Sequence, residues 1–388
     1  MSDPNKYRLA FVVSMFFEHG GMQRSLLRIA RACQARGHTV QLFTGELRGA
    51  APEDIEVSLL DTHALSNTAS NDKLASACQR AIKGQNFDCV VGFTKLPGLD
   101  VYYAGDPCYA ARVDETRNSF YKWLPRYRGL VRQERAVFGA DANTEILLFA
   151  HQEREKFIRY YATDPARFHM LPPGINRDRL LSNKPDAQDA ACLRNELGMA
   201  PDERMLLLVG SFFRTKGVDR AIDALACLPS EVKSNTRLVI VGHDDAAPFA
   251  RLAETLGVAE QVIFTGGRED VARFYFAADV LIHPAYTENT GTTLLEAMVC
   301  GLPVLTTANC GFAFHIEKAN VGMVCPMPFE QAVLNNQLRE MLTSDSRGEW
   351  RRNGLRYAES TDLYGLVDEA AEVITQRAAD NVISGKVH

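Results

Sequence analysis

Short apolar runs alternate with longer amphipathic ones along this chain, and the alternation starts twice. Leu9–Ser14 (LAFVVS) reads as a buried strand, and Met22–Arg36 follows with helical spacing at Leu26, Leu27, Ile29, Ala30 and Cys33. Gly37 stands where a helix ends in the left-handed C′ conformation. Thr39–Thr44, Asp88–Phe93 and Glu145–Ala150 read as further strands. Leu171-Pro-Pro-Gly-Ile175 interrupts the pattern. It restarts with strands at Arg204–Gly210, Arg237–Gly242, Gln261–Thr265, Asp279–Pro284, Leu302–Thr306 and Val321–Cys325, and with a helix at Asp219–Leu228. Strand–helix–strand order implies a parallel sheet with helices on both faces. The expectation is two doubly wound α/β domains, joined near Pro172–Gly174 and facing a cleft. Such sheets bind ligands at the carboxyl ends of their strands. From about Arg347 the chain reads as polar helix.

Composition removes several classes. A length of 388 residues suits two domains, and 46% apolar with 23% charged residues is globular. The net charge of −5 lacks the basic surplus of a nucleic-acid binder, so no nucleic-acid partner is expected. No apolar run approaches the ~18 residues of a spanning helix. Met1–Lys6 is polar and lacks the order of a signal peptide, which points to the cytoplasm. The nine cysteines are widely spaced without a Cys-x-x-Cys, as buried thiols would be. Gly-x-Gly-x-x-Gly, the P-loop, Asp-x-Asp, His-Glu-x-x-His and Gly-x-Ser-x-Gly are all absent, which weakens dehydrogenase, NTPase, metalloprotease and esterase readings.

Four stretches carry chemistry. Glu288-Asn289-Thr290-Gly291-Thr292-Thr-Leu-Leu-Glu296 follows a strand ending at His283-Pro284. Gly291 lets backbone approach a ligand, and the helix opening at Thr292 or Thr293 offers N–H groups to an anion. A carboxylate on either side suits a sugar nucleotide: one accepts from sugar hydroxyls, the other from a ribose diol. The plain alternative is a loop Glu followed by a helical one. In Gly210-Ser-Phe-Phe-Arg214-Thr-Lys216-Gly217, Arg214 and Lys216 follow a strand end, where cations either neutralise a departing diphosphate or are plain solvated charges on a loop. Gly20 and Gly21, between the first strand and helix, form either a plain turn or a close approach to phosphate or sugar. Tyr109–Phe138 holds seven Lys/Arg (Arg112, Arg117, Lys122, Arg126, Arg128, Arg132, Arg135) against three acids, with Phe120, Tyr121, Trp123 and Tyr127 between them. On a helix Val113, Phe120, Tyr121 and Leu124 share one face, and Pro125 breaks it. Such a stretch either lies on anionic lipid or is a domain helix with a solvated basic face.

With these pieces in place, the chain resembles the GT-B glycosyltransferases of family 4 over nearly its whole length. The likeness rests on Gly20-Gly21-Met-Gln-Arg24, Gly92-Phe-Thr-Lys95-Leu-Pro-Gly-Leu-Asp100-Val-Tyr, Asp106-Pro-Cys-Tyr109, Leu171-Pro-Pro-Gly-Ile175, Lys216-Gly-Val-Asp219-Arg220, His283-Pro-Ala-Tyr286 and the Glu288/Glu296 pair. The Lys95–Asp100 run and the Pro-Pro-Gly-Ile linker are narrower, and are similar to the members that build the lipopolysaccharide core. The resemblance implies two Rossmann-like domains: an acceptor domain over 1–173 with the basic stretch at 109–138, and a nucleotide-sugar domain over 174–355. A C-terminal helix over 356–388 would pack back on the first. It implies metal-independent, retaining transfer from a UDP-sugar as co-substrate, with no cofactor. Glu288 would hold the donor sugar, Glu296 the ribose, and Arg268 the base. Asn289, Thr290, Gly291 and Thr292 would border the sugar, and Gly20 and Gly21 the diphosphate or sugar. Lys216, with Arg214 or a neighbour, would stabilise departing UDP, and Asp106 would act near the sugar or acceptor. Arg117, Lys122, Trp123, Arg126, Arg128 and Arg132 would meet the anionic cytoplasmic face of the inner membrane. The acceptor implied is an inner-core heptose. Two departures stand out. Thr215 separates Arg214 from Lys216, where relatives have Arg-Lys adjacent. The polar residues between the glutamates leave glucose, placed first, beside an N-acetylhexosamine or galactose. A transferase for another surface glycan and a UDP-sugar epimerase of the same fold are the competing readings.

Overall fold

The computed structural model describes residues 6–17, 21–64, 66–176, 185–386 and 388. The chain forms two compact units: Met1–Pro172 with Gly365–His388, and Pro173–Tyr364.

Unit one contains β1 (Arg8–Val13), β2 (Phe16–Phe17), β3 (Thr39–Thr44), β4 (Leu47–Arg48), β5 (Glu56–Leu59), β6 (Cys89–Gly92), β7 (Val101–Tyr103), β8 (Glu145–Leu148) and β9 (Phe168–Met170). Seven of these form one parallel sheet in the order β5-β3-β1-β6-β7-β8-β9, and β2 pairs with β4 apart from it. Leu9 to Val13 are fully buried, because helices cover both faces of the sheet and leave no polar side to alternate with. The helices are α1 (Gly21–Ala35), α2 (Asn67–Ile82), α3 (Tyr109–Thr116), α4 (Pro125–Phe138) and α5 (His151–Tyr161). α1 buries Leu26, Ile29, Ala30 and Cys33, the face its spacing predicts, and Gly37 takes φ 91° after it.

The basic stretch departs from expectation. No helical face joins Val113, Phe120, Tyr121 and Leu124: α3 ends at Thr116 and Ser119–Trp123 is a 3-10 turn. Pro125 opens α4 at its first position rather than ending a helix. A proline there loses no hydrogen bond and supplies the right φ.

Unit two contains β10 (Arg204–Val209), β11 (Thr236–Val241), β12 (Val262–Gly266), β13 (Val280–His283), β14 (Val304–Thr307) and β15 (Gly322–Cys325). They form a parallel sheet in the order β12-β11-β10-β13-β14-β15. Strand order reverses between β10 and β13, as it does between β1 and β6 in unit one.

The C-terminal segment that joins unit one starts at Gly365 rather than at 356. The helix Arg347–Ser360 stays with unit two, where the Tyr357 hydroxyl lies 2.8 Å from His315 Nδ1. The following helix, Leu366–Ile383, packs on α1 and β6; His38 Nε2 lies 3.0 Å from Thr375 Oγ1, and Asn381 donates to the Asp88 carbonyl at 2.9 Å.

Candidate active site

In unit two the reversal of strand order makes β10 and β13 hydrogen-bonded neighbours, with Leu206 opposite Val280 and Leu207 opposite Leu281. The segments after them therefore leave the sheet side by side at its carboxyl edge, the usual place for a ligand in such a sheet. After β10 comes a single helical turn, Phe213–Lys216, ended by Gly217 at φ 76°. After β13 comes the loop from Pro284 to Gly291, and then the helix Thr292–Val299.

The two segments are clipped together. Tyr286 N–H donates to the Thr215 carbonyl at 2.9 Å, and the Tyr286 hydroxyl to Asp219 at 2.7 Å. Arg220 donates to the Pro284 and Ala285 carbonyls at 3.1 and 3.2 Å. Its guanidinium lies 3.6 Å from the ring centroids of both Tyr286 and Phe329. A Cβ on Gly217 would stand 2.1 Å from the Pro284 oxygen, so only glycine fits this approach.

The clip brings Lys216 onto Glu288. The ammonium donates to Glu288 Oε2, and His283 Nε2 lies 3.4 Å from the same oxygen. Glu288 is nearly buried. Burial opposes its ionisation, but the His283 hydrogen bond and the Lys216 charge outweigh that and hold the carboxyl down at about 2. It is a carboxylate at neutral pH, an acceptor for hydroxyl groups.

Backbone bonds lace the same loop down from the other side. The Glu288 carbonyl accepts from Gly311 at 3.1 Å and the Thr290 carbonyl from Phe312 at 2.8 Å. Asn289 and Thr290 are half-buried beside Glu288, and Thr292 is exposed at the helix start. Gly291, at φ 81° and ψ 48°, is the helix N-cap. The first N–H groups of such a helix lack intrahelical acceptors and favour an anion. Glu296 sits one turn into this helix and accepts from the Tyr275 hydroxyl at 2.7 Å.

The two expected cations separate: Lys216 reaches Glu288, whereas Arg214 is exposed on the turn. Arg268 forms a two-point ion pair with Asp270 at 2.8 Å for each bond. It lines a cavity of about 210 Å³ with Leu193, Phe264, Thr265 and Phe274.

In unit one, Gly20 lies outside the described residues, and Gly21 is the exposed first residue of α1. A Cβ on Gly105 would meet the Met22 sulfur at 3.4 Å, so the exposed Asp106 turn adjoins the first turn of α1. Beyond that turn, two buried carboxylates hold the start of α3. Glu134 accepts from the N–H groups of Tyr109 and Ala110 at 3.0 and 3.1 Å, from Lys95 at 2.6 Å and from the Tyr161 hydroxyl at 2.5 Å. Glu153 accepts from the Cys108 N–H at 2.6 Å. The N–H groups there are thus already occupied by the protein's own anions.

The six residues expected at a membrane surface (Arg117, Lys122, Trp123, Arg126, Arg128, Arg132) are all exposed. Trp123 is 72% and Phe120 82% exposed. Arg128 lies 5.7 Å from the Trp123 ring, while Lys122 pairs with Asp114 at 2.6 Å and Arg132 pairs with Asp72. Among the described residues no helix is long and apolar enough to cross a membrane, and no group of His, Cys, Asp and Glu is gathered to hold a metal ion.

Sequence reasoning missed the roles of His283, Asp219, Arg220 and Tyr286. Their strings are visible in the sequence, but only the β10–β13 pairing makes them one assembly.

Comparison with known proteins gives concordant matches. Residues 190–357 match the model for glycosyl transferases group 1, and residues 19–179 that for glycosyltransferase family 4. The chain is 42% identical over 369 residues to the lipopolysaccharide glucosyltransferase WaaG of Escherichia coli, covering 95% of this chain and 98% of that one. It is 28% identical to a D-inositol 3-phosphate glycosyltransferase of Xylanimonas cellulosilytica over 74% of this chain and 75% of that one. A WaaG crystal structure superposes with a TM-score of 0.88 at 42% identity, covering 95% of this chain and 99% of that one. Anabaena HepE in complex with UDP-glucose superposes at 0.69 with 17% identity, covering 97% and 100%, and speaks to the fold alone.

Proposed function

The chain belongs to the family 4 glycosyltransferases of the GT-B fold, and from that premise we propose that it transfers glucose from UDP-glucose to a heptose hydroxyl of the lipopolysaccharide inner core, with retention at the anomeric carbon. The observation that carries the chemistry is the Lys216–Glu288–His283 cluster at the β10–β13 edge. The whole-length likeness to a lipopolysaccharide glucosyltransferase supports the substrate.

In this reading Glu288, held as a carboxylate, accepts hydrogen bonds from the hydroxyls of the donor hexose. Asn289, Thr290 and Thr292 border that sugar. The diphosphate rests against the start of the Thr292–Val299 helix, where Gly291 keeps the backbone open. Lys216 stabilises the negative charge that grows on the leaving phosphate. Arg214 assists from the same turn. Glu296 takes the ribose hydroxyls and Arg268 the base. Gly20, Gly21 and Asp106 serve the diphosphate, sugar or acceptor. A front-face route suits these groups, with the leaving phosphate taking the acceptor proton. It asks for positioning and charge stabilisation rather than a protein nucleophile. Lys216 and the helix N–H groups supply the positive charge, so no metal ion or other cofactor is required.

The enzyme works at the cytoplasmic face of the inner membrane as a peripheral protein. Phe120, Trp123 and Leu124 are exposed among Arg117, Arg126 and Arg128. Apolar side chains among cations suit an anionic lipid interface, each cation adding about 1 kcal/mol there.

The test is UDP release from a panel of UDP-sugars in EDTA, with and without lipopolysaccharide truncated to its inner-core heptose. Acceptor-dependent release from UDP-glucose is expected. Consumption that ignores the acceptor would indicate an epimerase or hydrolase, and use of another glycan would move the acceptor.

A further inference from the structure

Phe212 is held in a conformation that bulky residues avoid, with its side chain in water. Its φ of 62° and ψ of 59° lie in the left-handed region. Its ring is 73% exposed, so burial within the chain does not offset the strain. The other positive-φ residues besides glycine, among those described, are Asn86, Ala162 and Asn320. Two are asparagines, which tolerate this region, and Ala162 is the C-cap of α5.

The neighbours explain how the strain persists. Phe213 is buried, its N–H donates to Asp244 at 2.7 Å, and its ring packs 5.8 Å from Phe249 and 6.0 Å from Phe264. The Phe212 carbonyl accepts the Lys216 N–H at 3.1 Å. The backbone is thus fixed on both sides, and the Phe212 ring is presented outward on the turn that delivers Lys216 to Glu288. A glycine or asparagine would hold this turn with less strain, so the phenyl ring itself needs a reason.

We infer that Phe212 is a substrate-binding residue whose ring packs on the apolar C–H face of a pyranose held at the Lys216–Glu288 site. The inference rests on the transferase reading and adds a specificity element to it. A flat aromatic face buries the C–H patch of a sugar ring while the hydroxyls stay free for polar partners. Either pyranose in the reaction offers that face, the hexose of the donor or the heptose of the acceptor.

The experiment compares wild type with Phe212→Gly, Phe212→Asn and Phe212→Trp, measuring thermal midpoint and the KM of donor and acceptor separately. For Phe212→Gly and Phe212→Asn the midpoint is expected to match or exceed wild type. One KM should rise about 10-fold, as for loss of a side chain buried by the ligand. Phe212→Trp should keep the wild-type KM values. A rise confined to UDP-glucose assigns the ring to the donor hexose, and one confined to the truncated lipopolysaccharide assigns it to the acceptor. Better folding with worse binding is the signature a purely structural residue does not give. Unchanged KM values in Phe212→Gly beside an active wild type overturn the inference alone, as does a lowered midpoint. A wild type that releases no UDP overturns it together with the transferase reading.

Discussion

Replacing Glu288 by glutamine keeps its shape and removes its charge. The carboxyl is held at about 2 against an ordinary 4.5, and that difference is worth about 3 kcal/mol of stability at neutral pH. Because the folded value lies below the unfolded one, this contribution is complete above about pH 5 and lost as the pH falls toward 2. Glu288→Gln lacks it at every pH. The stability gap between wild type and variant should therefore be largest at pH 7 and shrink below half by pH 3. Urea unfolding followed by tryptophan emission reads the right unit. Of the two tryptophans, Trp350 is buried in unit two and Trp123 is already exposed in unit one. At pH 7 the variant should also lose about 100-fold in kcat/KM for UDP-glucose, since charged hydrogen bonds to hydroxyls contribute roughly 1.5–3 kcal/mol each. A gap that stays constant from pH 7 to pH 3 would refute the claim that Lys216 and His283 hold this carboxylate ionised.

Lys216→Ala should cut kcat about 100- to 1000-fold, the cost of removing one group that stabilises transition-state charge; circular dichroism and single-turnover UDP release check that the fold survives while the chemistry does not. Gly217→Ala places a methyl group against the Pro284 carbonyl in a left-handed residue and should cost about 2–4 kcal/mol in urea unfolding. Phe120→Ser with Trp123→Ser should abolish sedimentation with phosphatidylglycerol vesicles at low salt while leaving turnover on a water-soluble acceptor fragment unchanged; wild type should come off the same vesicles as salt is raised.

Much of the fold is legible along the chain, because strands covered on both faces must be apolar throughout. β1, β10 and β11 announce themselves in this way, each with an unbroken apolar run. β5, β7 and β9 do not: β5 and β9 are the partly exposed edge strands of their sheet, β7 has three residues, and neighbouring strands recruit them. The basic stretch shows the limit of periodicity. Helical spacing predicts a shared face for Val113 and Phe120, yet the chain leaves the helix between them, and Pro125 supplies a helix start where its ring suggests a break.

The site divides along the same line. Spacing marks Glu288 and Glu296 as a candidate pair, because they are neighbours along one loop and one helix, and the surrounding family motifs favour them over a plain loop Glu and a helical one. The cationic turn at Arg214–Lys216 is visible for the same reason. Two doubly wound sheets, a carboxylate pair and a basic turn are all properties of short stretches, and short stretches suffice to reveal them. It takes the folded chain to establish that Lys216 rather than Arg214 meets Glu288, that His283 shares its oxygen, and that Arg220 clamps the two loops between Tyr286 and Phe329. Those contacts arise from the pairing of β10 with β13, strands far apart in the chain. Strand pairing is chosen by the whole core at once, so no local pattern records it.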